Sequence, residues 1–152
     1  TAIVEDSQGV GFAIPSNTIL KEIEDLVKNG SYDKHSWLGA SGVDMTYEIA
    51  EVMDTEVTYG WLIAEVTSGG PSEKAGLQGG TEQTTVVDEQ IIIGGDIIIA
   101  VSGVRITGIE DLSAYLEEYT LPEQTVNLTV IRNNETISIS LELENRPTTS
   151  TV

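Results

Sequence analysis

Apolar and polar positions follow different periods along this chain, and the stretch that follows neither is the most informative. Residues Ile97-Ile98-Ile99-Ala100-Val101 form a nearly all-apolar run, opened by Gly94-Gly95-Asp96 and closed by Ser102-Gly103. An apolar run of that length between turn residues predicts a strand buried on both faces. Upstream, Pro71-Ser72-Glu73-Lys74-Ala75-Gly76-Leu77 has Pro where a helix starts and Gly where one stops, which predicts a single helical turn. Downstream of Gly108, apolar residues at 109, 112, 115, 116 and 119 keep the helical period and predict an amphipathic helix over 109–119.

The remaining elements read off in chain order. Residues 9–17 form a glycine-punctuated strand closed by Pro15, and 18–28 a helix capped by Ser16 or Asn17. That helix carries Ile19, Leu20, Ile23, Leu26 and Val27 on one stripe and stops at Asn29-Gly30. The polar stretch 31–36 suits a linker. Trp37-Leu38-Gly39-Ala40 then leads through Ser41 and Val43 as a strand into a helix over 47–53, with Asp44 or Thr46 as its cap. Residues 60–66 read as a half-buried strand. Residues 78–93 read as an extra hairpin or extended loop whose apolar end pairs onto the sheet. Alternation over 126–131 and 136–143 about Asn133-Asn134 predicts a hairpin, and 144–152, with Pro147, looks like a mobile tail.

Composition narrows the function. Seven Lys+Arg against 25 Asp+Glu give a formal charge of −18, which repels phosphate backbones and anionic lipid, so neither nucleic acid nor a membrane surface is expected as a partner. The simplest reading of this charge is solubility in a salty or harsh exterior. No apolar run is long enough to insert into a bilayer. There is no cysteine and no spaced-aspartate calcium loop, so neither a metal nor a cofactor is expected. The first residues lack Met and the pattern of a signal peptide, as in an excised fragment of a longer chain.

Two constellations bear on chemistry. Ser68-Gly69-Gly70-Pro71 looks superficially like a nucleophile loop, but a Ser-His-Asp triad needs a histidine base, and the one histidine, His35, sits in the polar linker. The serine loop reads better as the turn into the Pro71 helix, and no proteolysis is expected. The second is Trp37-Leu38-Gly39-Ala40. A peptide's terminal carboxylate can be held by successive backbone amides turned inward by a loop, with glycine where the backbone turns sharply and apolar neighbours walling the last side chain.

The order of Ala75-Gly76-Leu77, Gly95-Asp96-Ile97-Ile98, Ala100-Val101-Ser102-Gly103 and the helix after Gly108 resembles the PDZ domain carried by HtrA/Deg-family serine proteases. The resemblance implies an α/β (α+β) fold, a partly open antiparallel β-barrel or sandwich capped by two helices. Its strand order would be circularly permuted, so that the carboxylate loop precedes the short helix. It implies that residues 1–17 are the last strand of a protease domain, 18–35 a connector helix and linker, 36–145 the PDZ domain and 146–152 a flexible tail. The family's triad lies before the matching segment, so catalysis would be absent from this fragment of a serine endopeptidase.

By the same resemblance Trp37, Leu38, Gly39 and Ala40 form the carboxylate loop. A peptide adds as a strand beside Ser41 and Val43, against Leu112, Tyr115 and Leu116. Lys34 and His35 would add positive charge near the carboxylate. Ala40 is smaller than the family's usual aliphatic, and no Arg precedes the loop. The implied partners are C-terminal or unfolded polypeptide segments and the protein's own protease domain, in an extracytoplasmic setting. The alternative is an assembly module whose groove is closed by its own chain. Thr149-Ser150-Thr151-Val152 resembles a PDZ ligand, so self-association through the Val152 tail is a further expectation.

Overall fold

The computed structural model describes residues 2–3, 11–12 and 16–147, with side chains from residue 19 onward. They fall into two units, 1–33 and 34–152. In the first, β1 (Ala2–Ile3) pairs antiparallel with β2 (Gly11–Phe12), and α1 spans Ser16–Asn29. The rest of the strand expected over 9–17 lies outside the described residues. Because α1 starts at Ser16, Ser16 and Asn17 are its first residues rather than its caps; polar residues are equally at home in a first turn. Gly30, at φ +74°, ends it, and its apolar stripe is exposed, from Leu26 at 46% to Val27 at 80%.

The second unit runs β3 (Ser36–Trp37), β4 (Ala40–Asp44), α2 (Tyr47–Val52), β5 (Trp61–Val66), α3 (Pro71–Ala75), β6 (Glu82–Val86), β7 (Glu89–Ile93), β8 (Ile97–Val101) and β9 (Val104–Arg105). It continues with α4 (Ile109–Tyr119), β10 (Thr125–Arg132), β11 (Glu135–Glu142) and β12 (Glu144–Asn145). The main sheet has the order β11-β10-β8-β5-β4, with β9 folded back on β8. All its pairings are antiparallel and it does not close into a barrel. Helices α2, α3 and α4 accompany it.

Two apolar layers explain the burial pattern. Trp61, Ile63, Ile98, Leu128 and Val130 join Leu112 and Leu116 of α4 on one side of the sheet. Leu62, Ile97 and Ile131 join Met45, Ile49 and Ala50 around α2, together with Ile91 and Ile93 of β7, on the other. The expectation that 60–66 is half-buried therefore fails for Trp61, Leu62 and Ile63, which are 5%, 0% and 0% exposed, because α2 and β7 cover the face that would otherwise meet solvent.

The hairpin expected within 78–93 is present, but its strands pair only with each other. Its apolar end packs on the sheet rather than extending it. The base of the hairpin is tied by Gly80 N–H donating to the Ala64 carbonyl at 2.9 Å. A Cβ on Gly95 would lie 2.0 Å from the Ile63 carbonyl oxygen, so the Gly-Gly-Asp turn passes where only glycine fits.

Asp96 of that turn is fully buried. Arg132 of β10 grips its carboxylate with two N–H···O bonds of 2.7 Å, and Gln78 N–H donates to it at 2.9 Å. Hydrogen bonding to Asp96 raises the pKa of the Arg132 guanidinium further. The β10–β11 hairpin turns at Asn133 and Asn134, both at positive φ, as the sequence predicts. The start of the expected tail is ordered: Glu144 pairs with Trp37, Asn145 with Ser36, and Arg146 N–H donates to the His35 carbonyl at 2.9 Å. A two-residue polar ladder carries no apolar alternation, which is why the sequence reads as a tail there. Residues 148–152, including Val152, lie outside the described residues.

Candidate functional site

The loop Leu38-Gly39 joins β3 to β4 and rests on the first turn of α3. Gly39 adopts φ +75°, and a Cβ there would lie 2.8 Å from Pro71 Cδ. The Leu38 carbonyl accepts from Ser72 N–H at 2.9 Å and from Ser72 Oγ at 2.7 Å, and the Gly39 carbonyl accepts from Thr67 N–H at 2.8 Å.

In a planar trans peptide the C=O and the following N–H point in opposite directions. Both carbonyls are drawn toward the 67–72 segment, so the N–H groups of Gly39 and Ala40 point away from it, side by side. No group among the described residues accepts from Gly39 N–H. Two successive outward amides at a left-handed residue form a concave donor pair suited to an anion.

β4 is the last strand of its sheet, and its outer edge pairs with no strand among the described residues. α4 flanks that edge and is tied across it at both ends. Asp44 Oδ1 accepts from Ile109 N–H at 2.6 Å, which makes Asp44 a cap for α4, while Thr46 caps α2 through Ile49 N–H. At the other end Thr120 Oγ1 lies 2.8 Å from Ser36 Oγ, and His35 Nδ1 lies 2.7 Å from Glu117 Oε1. The ties at Glu117 and at the cap residue Thr120 identify the flank of α4 that faces β3, and the helical period puts Ser113 on that flank.

The expected site residues separate against this frame. Leu38, Leu112 and Leu116 share one apolar layer, with Ala40 at its margin. Trp37 is half-buried and its ring lies behind the loop, 3.5 Å from where a Cβ on Gly70 would stand. Ser41 is exposed, and Val43 packs in the α2 layer on the far side of the sheet. Tyr115 lines the opposite flank of α4, with Val104, Ile106 and Tyr119. His35, which reads from sequence as a linker histidine and by the resemblance as positive charge near a carboxylate, is paired to Glu117.

Ser113 and Thr120 were not singled out from sequence, although the helical period that found α4 also defines its second flank. Near α4, hydrogen bonds from the Thr107 hydroxyl and N–H hold the Asp111 carboxyl below its ordinary range, and the bond to Glu118 pushes the Tyr119 phenol up. Among the described residues no group of acidic or histidine side chains is placed to hold a metal ion.

Known proteins bear on this arrangement. The sequence profile of the family described as "PDZ domain" matches residues 37–143. The chain is 32% identical over 153 residues to the "Probable periplasmic serine endoprotease DegP-like" of Chlamydia trachomatis, covering 97% of this chain and 27% of that protein. It is 28% identical to the "Periplasmic pH-dependent serine endoprotease DegQ" of Escherichia coli, covering 95% and 28%. It thus spans little more than a quarter of these relatives.

Among solved structures, the "HtrA-type protease AlgW with decapeptide" superposes with a TM-score of 0.67 at 26% identity, over 97% of this chain and 41% of that one. The HtrA3 PDZ domain bound to a phage-derived ligand superposes at 0.55 over 73% of this chain and 86% of that one; at 22% identity it supports the fold alone. Fold, loop and family profile agree: the chain belongs to the PDZ domain family, in the form carried by HtrA/Deg-type serine proteases.

Proposed function

We propose that residues 36–145 bind extended polypeptide by its free carboxyl terminus. The carboxylate would meet the Gly39 and Ala40 amides, the peptide would add as a strand on the outer edge of β4, and its last side chain would enter the apolar layer of Leu38, Leu112 and Leu116. The observation that carries this reading is the pair of anchored carbonyls, which leaves two adjacent N–H groups facing outward beside an open strand edge. Ser41 and Val43 would contribute backbone alone, and Trp37 would support the loop from behind.

Within a longer HtrA-like protein, residues 1–17 would supply the last strand of the protease domain and 18–35 its connector, so that captured substrate is recruited to that domain or regulates it. The likeness to relatives named periplasmic supports a setting outside the cytoplasm. The one histidine, His35, is paired to Glu117, and Ser68 lies in the turn before α3, which supports a binding module with no catalysis of its own.

The test is a titration of the full chain with peptides ending in an apolar residue, free acid against amide. The free acid is expected to bind at least about tenfold tighter, since losing one charged partner of a buried donor pair costs about 1.5–3 kcal/mol. Equal binding of both forms, or of neither, refutes the reading. Binding of neither favours the assembly module with a self-closed groove.

A further inference from the structure

Ser72 is out of place as an ordinary helix residue. It is the second residue of α3 and is 0% exposed, and its hydroxyl caps no helix, for the N-cap position is Gly70 and makes no side-chain capping bond. The hydroxyl instead reaches 34 positions back along the chain to the Leu38 carbonyl, to which the Ser72 N–H also donates. One residue thus places two donors on one acceptor and fills both of its lone pairs.

We propose that Ser72 is a positioning residue that sets the loop's selectivity for a free carboxylate, a proposal that rests on the peptide-binding reading above. The peptide unit between Leu38 and Gly39 is a rigid plane, so the direction of its C=O fixes the direction of the Gly39 N–H. That plane adjoins a glycine, and glycine is the residue that permits the widest rotation about its backbone bonds. Without a restraint, the plane can turn over and point the carbonyl oxygen at the incoming carboxylate. With Ser72 in place, turning it over abandons two hydrogen bonds and strands a buried hydroxyl. The next plane is held separately, by Thr67 N–H on the Gly39 carbonyl, and so provides an internal control.

The plane acts on the carboxylate alone. Removing the hydroxyl raises the share of molecules with the plane turned over, and the apparent dissociation constant rises as the competent share falls. Affinity gained from the last side chain does not pass through the Gly39 N–H and stays as it was.

The experiment measures binding of paired free-acid and amidated peptides, ending in Val or in Ala, to the full chain and to Ser72→Ala. Amide shifts of Gly39 and Ala40 are followed by NMR. In Ser72→Ala the free-acid to amide affinity ratio is expected to fall, by up to about three- to tenfold, the scale of one hydrogen bond. The Val to Ala ratio should stay unchanged. The binding shift of Gly39 should shrink while that of Ala40 persists, and Ser72→Thr, which keeps the hydroxyl, should restore the ratio.

Should Ser72→Ala not fold, Ser72→Cys, of nearly the same size but with a weak donor, takes its place in the same measurements. A folded variant that keeps the ratio, or loses affinity for acid and amide alike, overturns the proposal. Wild-type protein that does not distinguish acid from amide overturns the peptide reading itself, and does so before any substitution is made.

Discussion

Replacing Gly39 by Ala tests how firmly the loop is clamped. Two costs add. A left-handed backbone costs a residue with a Cβ about 1–2 kcal/mol, and Gly39 sits at φ +75°. The new Cβ also lies 2.8 Å from Pro71 Cδ and 3.3 Å from Pro71 N, a ring and a backbone atom that cannot swing aside as a flexible side chain would. Overpacking of that kind costs about 1–3 kcal/mol, which brings the expected loss to about 2–5 kcal/mol.

Gly76 provides the control. It has a similar φ of +80° but nothing within 4 Å of its Cβ position, so Gly76→Ala bears the dihedral cost alone. Urea unfolding reads the difference. With a slope of about 1–3 kcal/mol/M, Gly39→Ala should lower the midpoint roughly twice as far as Gly76→Ala, with the slope unchanged. Affinity for a free-acid peptide should fall in Gly39→Ala, because the loop must back away from α3 to admit the methyl group. Equal midpoints for the two variants would refute the claim that Pro71 clamps the loop.

Two other predictions concern charge. Asp96→Asn leaves Arg132 without its bidentate partner in a buried site, and should cost about 3–5 kcal/mol in urea unfolding; a loss under 1 kcal/mol would show that the pair is not what holds β10 to the Gly-Gly-Asp turn. Asp111 has its pKa depressed by the Thr107 hydroxyl and N–H, so its stabilising contribution is fully present above the ordinary aspartate range and is lost as pH falls through the lowered value. The stability gap between wild type and Asp111→Asn should therefore be seen at neutral pH and close in acid, and a gap that widens in acid would contradict the assignment.

How much was legible in the sequence depended on whether a signal was local. The span of α4 follows from the 3.6-residue period, and the β10–β11 hairpin from alternation about Asn133-Asn134, because each element states its own pattern. Gly39 was legible as a turn residue, but its clamp was not, since Pro71, Ser72 and Thr67 lie about thirty positions away and nothing local marks them as its neighbours.

The strand reading over Ser41 and Val43 overlooked its own consequence. Alternation from Ala40 puts both side chains on the opposite face, so a bound strand would use only their backbone. Tyr115 packs against the layer of Leu112 and Leu116 and also lines the flank of Val104 and Tyr119, a placement the apolar stripe leaves open because it defines a helix's core-facing side without saying what lies to the left and right of it. The turn Val87-Asp88 carries a weak turn signature, Asp88 alone: both residues take positive φ, which Val rarely adopts, in a hairpin whose Ile91 and Ile93 reach the core.

The short ladder between β3 and β12 has a mechanical consequence. The chain enters this unit and leaves it on adjacent, antiparallel strands, with Ser36 beside Asn145 and Trp37 beside Glu144. Tension applied through the flanking segments would load those bonds one pair at a time, as a zipper, rather than all together in shear. Such a seam has only two residue pairs to part, whereas behind it the β4–β5 and β8–β10 ladders are longer and two apolar layers hold β5 against β8. The first residue past the seam on the entering strand is Leu38, whose carbonyl aims the loop. Pull on the linker would therefore reach the Gly39 amide before it threatened the fold, and if the loop holds a chain end as proposed, its grip would respond to strain as well as to sequence.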